Sequence, residues 1–131
     1  MRTSIVIAAL MTSFSTNAIA EWTWLNGNDA YDSYLNIESI RRTGNKVKVW
    51  DLDNFKSIQT QANGKQFLSE ITQIEYDCIE ETKKLLAIVD YAGVMGSGEV
   101  TNTMTFSDND NKPIIPNSIG EKKWKIVCGK K

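Results

Sequence analysis

The sequence predicts an α+β domain, mostly strand, with one short helix at the C-terminal end. Three observations lead there. Apolar and polar residues alternate with period two along much of the chain, most plainly from Val100 to Phe106. A capping-box spacing, Ser118-Ile119-Gly120-Glu121, opens a single helical pattern. Cys78 and Cys128 are the only cysteines and follow a segment that reads as an export signal, so one disulfide between them is expected.

Residues 1–20 read as a secretory signal peptide, leaving 21–131 as a single domain. Arg2 supplies a positive start, Ile5 to Leu10 with Met11 and Phe14 a short apolar run, and Ala18-Ile19-Ala20 the small-x-small cleavage pattern. Cleavage is expected between Ala20 and Glu21. The alternative is a buried N-terminal helix. The run is too short for a comfortable membrane span, and no other stretch approaches the roughly 20 apolar residues needed. Residue 21 is glutamate rather than cysteine, so no lipid anchor of the lipoprotein type is offered, and the expected location is the periplasm or the medium.

The strands follow in order. Trp22 and Trp24 begin the first. Asn26-Gly27-Asn28-Asp29 turns the chain, and Tyr31 to Leu35 forms a short second strand. Gly44-Asn45 precedes Lys46 to Leu52, with Val47 and Val49 on one face and Trp50 on the other. Asn63-Gly64 precedes a strand starting near Phe67 that places Ile74, Tyr76 and Cys78 together. Leu85 to Val89 is a continuous apolar run, read as a central strand covered on both faces, although period alone leaves a buried helix open. Gly93, Gly96 and Gly98 read as a flexible connection before Val100. Asp108 to Lys112, then Pro113, is a polar loop. Pro113 and Pro116, the only prolines, stand outside the expected strands. In the last element, about three turns long, Ile119, Trp124, Ile126 and Val127 share a broad apolar face, with Glu121, Lys122 and Lys125 mostly opposite. Lys123 falls on the apolar side and is expected to snorkel to solvent. Gly129 suits a helix end.

Composition narrows the chemistry. The chain has no histidine, which removes Ser-His and Cys-His nucleophiles and histidine acid–base or metal chemistry. Two cysteines are too few for a thiolate zinc site unless carboxylates complete it. A formal net charge of -1 provides no strong positive field, so nucleic acid is not an expected partner. Neither a catalytic residue nor a cofactor nor a metal is assigned.

Five features of the sequence carry residue types that a site could use. Glu75 with Asp77, and Asp51 with Asp53, are carboxylate pairs about 7 Å apart along a strand. Such pairs serve glycoside hydrolysis, but both are expected on solvated faces. Asp108-Asn109-Asp110-Asn111 resembles the opening of a calcium loop, but Pro113 and Ile119 stand where glycine and glutamate are required. The glycine-rich run after Tyr91 precedes a strand, not the helix a phosphate loop needs. Arg41, Arg42, Lys122 and Lys125 are candidate binding residues for an acidic partner such as a sulfated glycan, within the basic runs that include Lys123, Lys130 and Lys131. Trp22, Trp24, Trp50 and Trp124 are mostly expected in the core, an exposed one marking a binding surface.

One set of segments has the order and spacing of a known family. They are Tyr34 with Ile37, Ser39-Ile40-Arg41, Gly44, Val47-Lys48-Val49-Trp50, Tyr76-Asp77-Cys78, Gly96-Ser97-Gly98-Glu99-Val100, Ile115-Pro116-Asn117-Ser118-Ile119-Gly120 and Trp124-Lys125-Ile126-Val127-Cys128. From Trp22 to Cys128 the chain resembles the bacterial surface-adhesin protein E family. The resemblance implies an antiparallel sheet of about six strands, with the C-terminal helix held by the disulfide. It also implies a Gram-negative origin and an exported, non-enzymatic protein that attaches to host extracellular-matrix proteins. The alternative is a periplasmic structural or envelope-stress accessory protein with no host ligand, and a third reading is a two-carboxylate hydrolase. A sheet carrying one short helix leaves surface that must be polar, or be covered by a partner or a second copy in a homodimer.

Overall fold

A computed structural model describes residues 21–108 and 110–131. The expected signal peptide, with Ala20, and Asn109 of the calcium-like loop lie outside the described residues. β1 (Thr23–Gly27), β2 (Tyr31–Thr43), β3 (Lys46–Thr60), β4 (Gln66–Asp77), β5 (Thr82–Tyr91) and β6 (Val100–Thr105) pair in chain order, every pair antiparallel. Each strand meets its chain neighbour through a short connection, as antiparallel hairpins permit. A two-residue β7 (Lys112–Pro113), inside the expected polar loop, pairs with the start of β5. α1 (Ile119–Val127) closes the fold.

β2 and β3 run past Leu35 and Leu52, where the sequence pattern ends. The physical reason is a bulge: the β2–β3 register shifts between Asn36 and Arg41. There Ser39 Oγ donates to the Asn36 carbonyl at 2.7 Å and accepts from Trp50 N at 2.9 Å. A side chain thus substitutes for a ladder bond, and the strand continues while its alternation is lost.

Leu25, Leu35, Val47, Val49, Tyr76 and Cys78 bury one end of one sheet face beneath Trp124, Val127 and Cys128 of the C-terminal segment. The disulfide joins Cys78 to Cys128, and Trp124 Nε1 donates to the Asp77 carbonyl at 3.0 Å. Ser118 caps α1 by accepting from Glu121 N at 3.1 Å. The helix ends in a Schellman turn: Gly129 stands at φ +66, its N–H bonds the Ile126 carbonyl, and Lys130 N bonds the Lys125 carbonyl at 2.7 Å. At nine residues α1 is shorter than the three turns expected. Trp24, expected in the core, is 57% exposed on edge strand β1, its Nε1 donating to Asp32 at 3.2 Å.

The glycine-rich run, expected to be a flexible connection, is pinned to the opposite sheet face. Ser69 Oγ donates to the Gly93 carbonyl at 2.7 Å and accepts from Gly96 N at 2.9 Å, while Asn54 Oδ1 accepts from Met95 N at 2.9 Å. Gly96 stands at φ +72, and a Cβ there would lie 2.9 Å from Ile71 Cδ1. Gly96→Ala is therefore expected to cost about 1–2 kcal/mol in left-handed strain, with the contact adding to it. Thermal melting checks this; a Tm equal to the parent's would show that the turn relaxes freely.

Candidate functional site

α1 covers one end of its sheet face, and the rest of that face holds the charged groups. In β3, Val47, Val49, Asp51 and Asp53 alternate onto it, so the apolar stripe under the helix turns acidic as it leaves the helix. Register does the same across the sheet. Ser33, Asp53, Glu70, Asp90 and Asn102 are successive cross-strand partners on β2 to β6. Three carboxyl groups thus stand side by side on adjacent strands, where directly opposed like charges are destabilising.

Asp51, expected on a solvated face, is instead 2% exposed. Lys123, expected to snorkel outward, turns inward, and its Nζ lies 2.7 Å from Asp51 Oδ2. The cause is complementarity: the helix docks its apolar side on the β3 stripe, which brings the one lysine on that side over the first aspartate. The Thr72 hydroxyl donates to Asp51 Oδ1. Asp53 accepts from Ser33 Oγ at 2.9 Å. Asp90, 3% exposed, accepts on Oδ2 from Gln61 at 2.6 Å and Asn102 at 3.3 Å.

A cavity of about 280 Å³ opens beside α1, lined by Asp51, Asp53, Glu70 and Tyr76 together with Lys83 and Lys123. Tyr76 is fully buried, yet its hydroxyl has no hydrogen-bond partner. A larger hollow of about 470 Å³, lined by residues such as Phe67, Asn102 and Met104, carries no charged side chain. The ionic chemistry therefore sits in the smaller one. Among the described residues no group of three or more acidic or cysteine side chains is arranged to hold a metal ion.

Burial governs the protonation of this cluster. It raises Asp53 above its ordinary value, with Asp51 adding to the rise and Lys123, Ser33 and Lys83 opposing it. It pushes Glu70 up to about 8, helped by a hydrogen bond to Asp90 and by the charges of Asp90, Asp53 and Asp51. Burial, then Asp51 and Asp53, also drives the Tyr76 phenol upward. The folded protein therefore keeps a Glu70 proton that the unfolded chain has lost, and Glu70 subtracts stability as pH rises from its ordinary 4.5 towards about 8. Glu70→Gln, which retains a donor towards Asp90, is expected to gain in Tm over the parent between pH 5 and pH 8. An advantage independent of pH would show that Glu70 is ionised in the fold throughout.

The other candidates lie elsewhere. Asp77 Oδ1 accepts from Ile79 N at 3.0 Å and Glu80 N at 2.9 Å, which holds its carboxyl below the ordinary value. Its pair member Glu75 lies 3.8 Å from Lys46. Arg41 and Arg42 are exposed beside the β2–β3 turn and donate to local carbonyls of Glu38, Ile40 and Gly44. Lys122 Nζ donates to the Leu25 carbonyl at 2.6 Å, and Lys125 lies 3.4 Å from Glu121. The sequence pattern does not mark Glu70, Tyr76 or Asp90 as site residues, and it offers Lys123 only within a basic run that could meet an acidic partner. The signal that was available is the acid pair continuing the face of Val47 and Val49, matched by a lysine on the apolar side of the helix.

Comparison with known proteins gives a consistent result. A family model described as surface-adhesin protein E matches residues 22–129. No match is found among curated proteins. Among solved structures, a second crystal form of Haemophilus influenzae protein E superposes with a TM-score of 0.64 at 13% identity, covering 79% of this chain and 91% of that one. The crystal structure of protein E from non-typeable Haemophilus influenzae gives 0.64 at 16% identity, covering 87% and 79%. At such identities the structural likeness concerns the fold.

Proposed function

This chain belongs to the surface-adhesin protein E family, and from that premise we propose an exported, non-enzymatic binding protein that attaches through the half-covered sheet face to a protein partner. Host extracellular matrix is the partner class we propose, in line with the family's description as adhesins. The observation that carries the choice of face is the row Asp53, Glu70 and Asp90: three carboxyl groups opposed on neighbouring strands, on the part of the face that α1 leaves uncovered, where burial raises Asp53 and Glu70 above their ordinary values. Arg41, Arg42, Lys122 and Lys125 are proposed as secondary contacts for an acidic partner. A second copy covering the same face in a homodimer is an alternative occupant. No helix among the described residues is long and apolar enough to cross a membrane.

The test is adhesion of the oxidised protein to a reconstituted basement-membrane matrix, with serum albumin as control. Saturable attachment that weakens in Asp53→Lys is expected. Equal attachment to albumin, or retention of the protein in the periplasm, would favour the envelope-accessory reading instead. The exported product is expected to begin at Glu21, so an intact mass that retains residues 1–20 would overturn the export signal.

A further inference from the structure

We propose that β6 is a docking edge: an extended, uncharged segment of a protein partner adds to the sheet as one further strand and sets an apolar side chain into the hollow beside Phe67 and Met104. The inference rests on the reading of a protein partner at the half-covered face, because Asn102 and Met104 of β6 stand on that face, and it names how the partner is held.

Three observations carry it. The first is the state of the edge. β6 ends the sheet, and among the described residues no strand pairs with its outer side. Phe106 N donates to the Leu86 carbonyl at 2.9 Å, and Met104 and Asn102 stand opposite Ile88 and Asp90. Antiparallel ladders alternate, so Asn102 and Met104 exchange bonds with β5, while the N–H and C=O groups of Thr103 and Thr105 point away from the sheet. Thr103, Met104 and Thr105 are all exposed. Outward donors and acceptors at strand spacing form half of a ladder, and an extended backbone supplies the other half.

Second, this edge is not blunted. Val100 to Phe106 contains neither a charge nor a proline, the devices by which natural edges refuse a neighbour. The register shift opposite Asp90 and Tyr91 leaves Asn102 to Thr105 in regular register. The other edge of the sheet differs. β1 has five residues, its register breaks between Trp24 and Asn26, and Lys122 Nζ donates to the Leu25 carbonyl at 2.6 Å. Third, a hollow adjoins β6. The chain after β3 reaches across the sheet, where Gln61 Nε2 donates to Asp90 Oδ2 at 2.6 Å. The hollow of about 470 Å³ lies between that turn and β6, with Phe67, Asn102 and Met104 in its lining. Side chains of an added strand alternate in the same way, so every second one would stand beside Asn102 and Met104, at the hollow. No charged side chain lines it, so an apolar residue enters without stranding a charge.

The extent of the edge decides the occupant. A second copy meeting β6 to β6 joins six residues a side, whereas a stable interface uses roughly 20–30. An extended segment has no such requirement, because main-chain bonds hold it and one side chain anchors it. The segment must lack a strand partner in its own protein, so a linker or an unfolded stretch is the source.

The test is amide hydrogen exchange, read by NMR, on the isotope-labelled, oxidised protein. The probe is a capped peptide as long as β6, six residues alternating threonine with leucine. Its control is the same peptide N-methylated along the backbone, which keeps the side chains and loses the N–H donors. The peptide is expected to shift the amides of Thr103 and Thr105 saturably and to slow their exchange at least about tenfold, and the control is expected to do neither. Thr103→Pro removes the outward N–H and no bond to β5, so it is expected to abolish the protection. Met104→Lys, at a side chain already 44% exposed, places a charge on the edge and is expected to weaken the peptide at least about tenfold. Circular dichroism spectra matching the parent's establish that each variant is folded. Equal shifts from the N-methylated peptide, or no protection at millimolar peptide, would overturn the proposal. So would protection that appears without peptide and grows with protein concentration, because a second copy then holds the edge. If the peptide binds and matrix attachment ignores Asp53→Lys, the edge stands and the adhesive reading of the face fails. If Asp53→Lys weakens attachment and the peptide protects neither threonine, the face stands and the edge fails.

Discussion

Lys123→Met is expected to lower stability by about 3–5 kcal/mol, because it strands a buried carboxylate. The Lys123 and Asp51 side chains are 9% and 2% exposed, so water replaces little of what the ammonium provides. Thr72 continues to donate to Asp51 Oδ1, but Oδ2 loses the donor 2.7 Å away. Methionine keeps most of the lysine's volume, so the loss reports charge rather than a cavity. The paired change Asp51→Asn, Lys123→Met removes both charges and keeps an acceptor for Thr72, and it is expected to recover most of the deficit. Urea unfolding of the parent, both single variants and the pair gives the coupling energy directly. A single variant within about 1 kcal/mol of the parent would put the pair in the class of screened surface bridges.

Cys78→Ser with Cys128→Ser is expected to cost about 2–5 kcal/mol. The bond closes a sequence separation of 50, for which chain entropy gives roughly 4 kcal/mol. The loss should appear locally first. α1 has nine residues, below the roughly 12–15 at which an isolated helix becomes even marginal in water, so its order depends on docking. Limited proteolysis mapped by mass should therefore cut from about residue 116 onward before it cuts the sheet, and the melting curve should shift downward. If two free thiols titrate in the native oxidised protein, or if reduction moves neither readout, the staple contributes nothing.

The architecture was largely legible in the sequence, and the site was not. Val47, Val49, Ile74, Tyr76 and Cys78 announce one buried face by their spacing, and Ser118 with Glu121 announces the helix. These are local signals, each contained within a few residues. The ion pair spans 72 positions, and no period connects its partners. Aspartate is ordinarily solvated, so residue type points Asp51 and Asp53 outward, although they share a face with two buried valines. The row Asp53, Glu70, Asp90 depends on register, and register is reset by bulges at Asn36/Arg41, Asn54/Gln59 and Gln73/Ile74. A reader of sequence alone has no means of counting across them. The glycine-rich run misled for a related reason: glycine signals conformational freedom, while Ser69 and Asn54, distant in the chain, take that freedom away.

The strictly sequential pairing of β1 to β6 also sets the order in which the molecule can assemble. Each hairpin closes a short loop, so the sheet grows by local steps whose entropic cost is small. The closing contacts are different in kind. Lys122 reaches back 97 positions to Leu25, Lys123 reaches back 72 to Asp51, and Trp124 reaches back 47 to Asp77. None can form until residues 122–124 are in place and the sheet already presents its stripe. The last dozen residues act as a keystone: folding waits for them, and a nascent chain lacking them holds Val47, Val49 and Tyr76 open with Cys78 still an unpaired thiol.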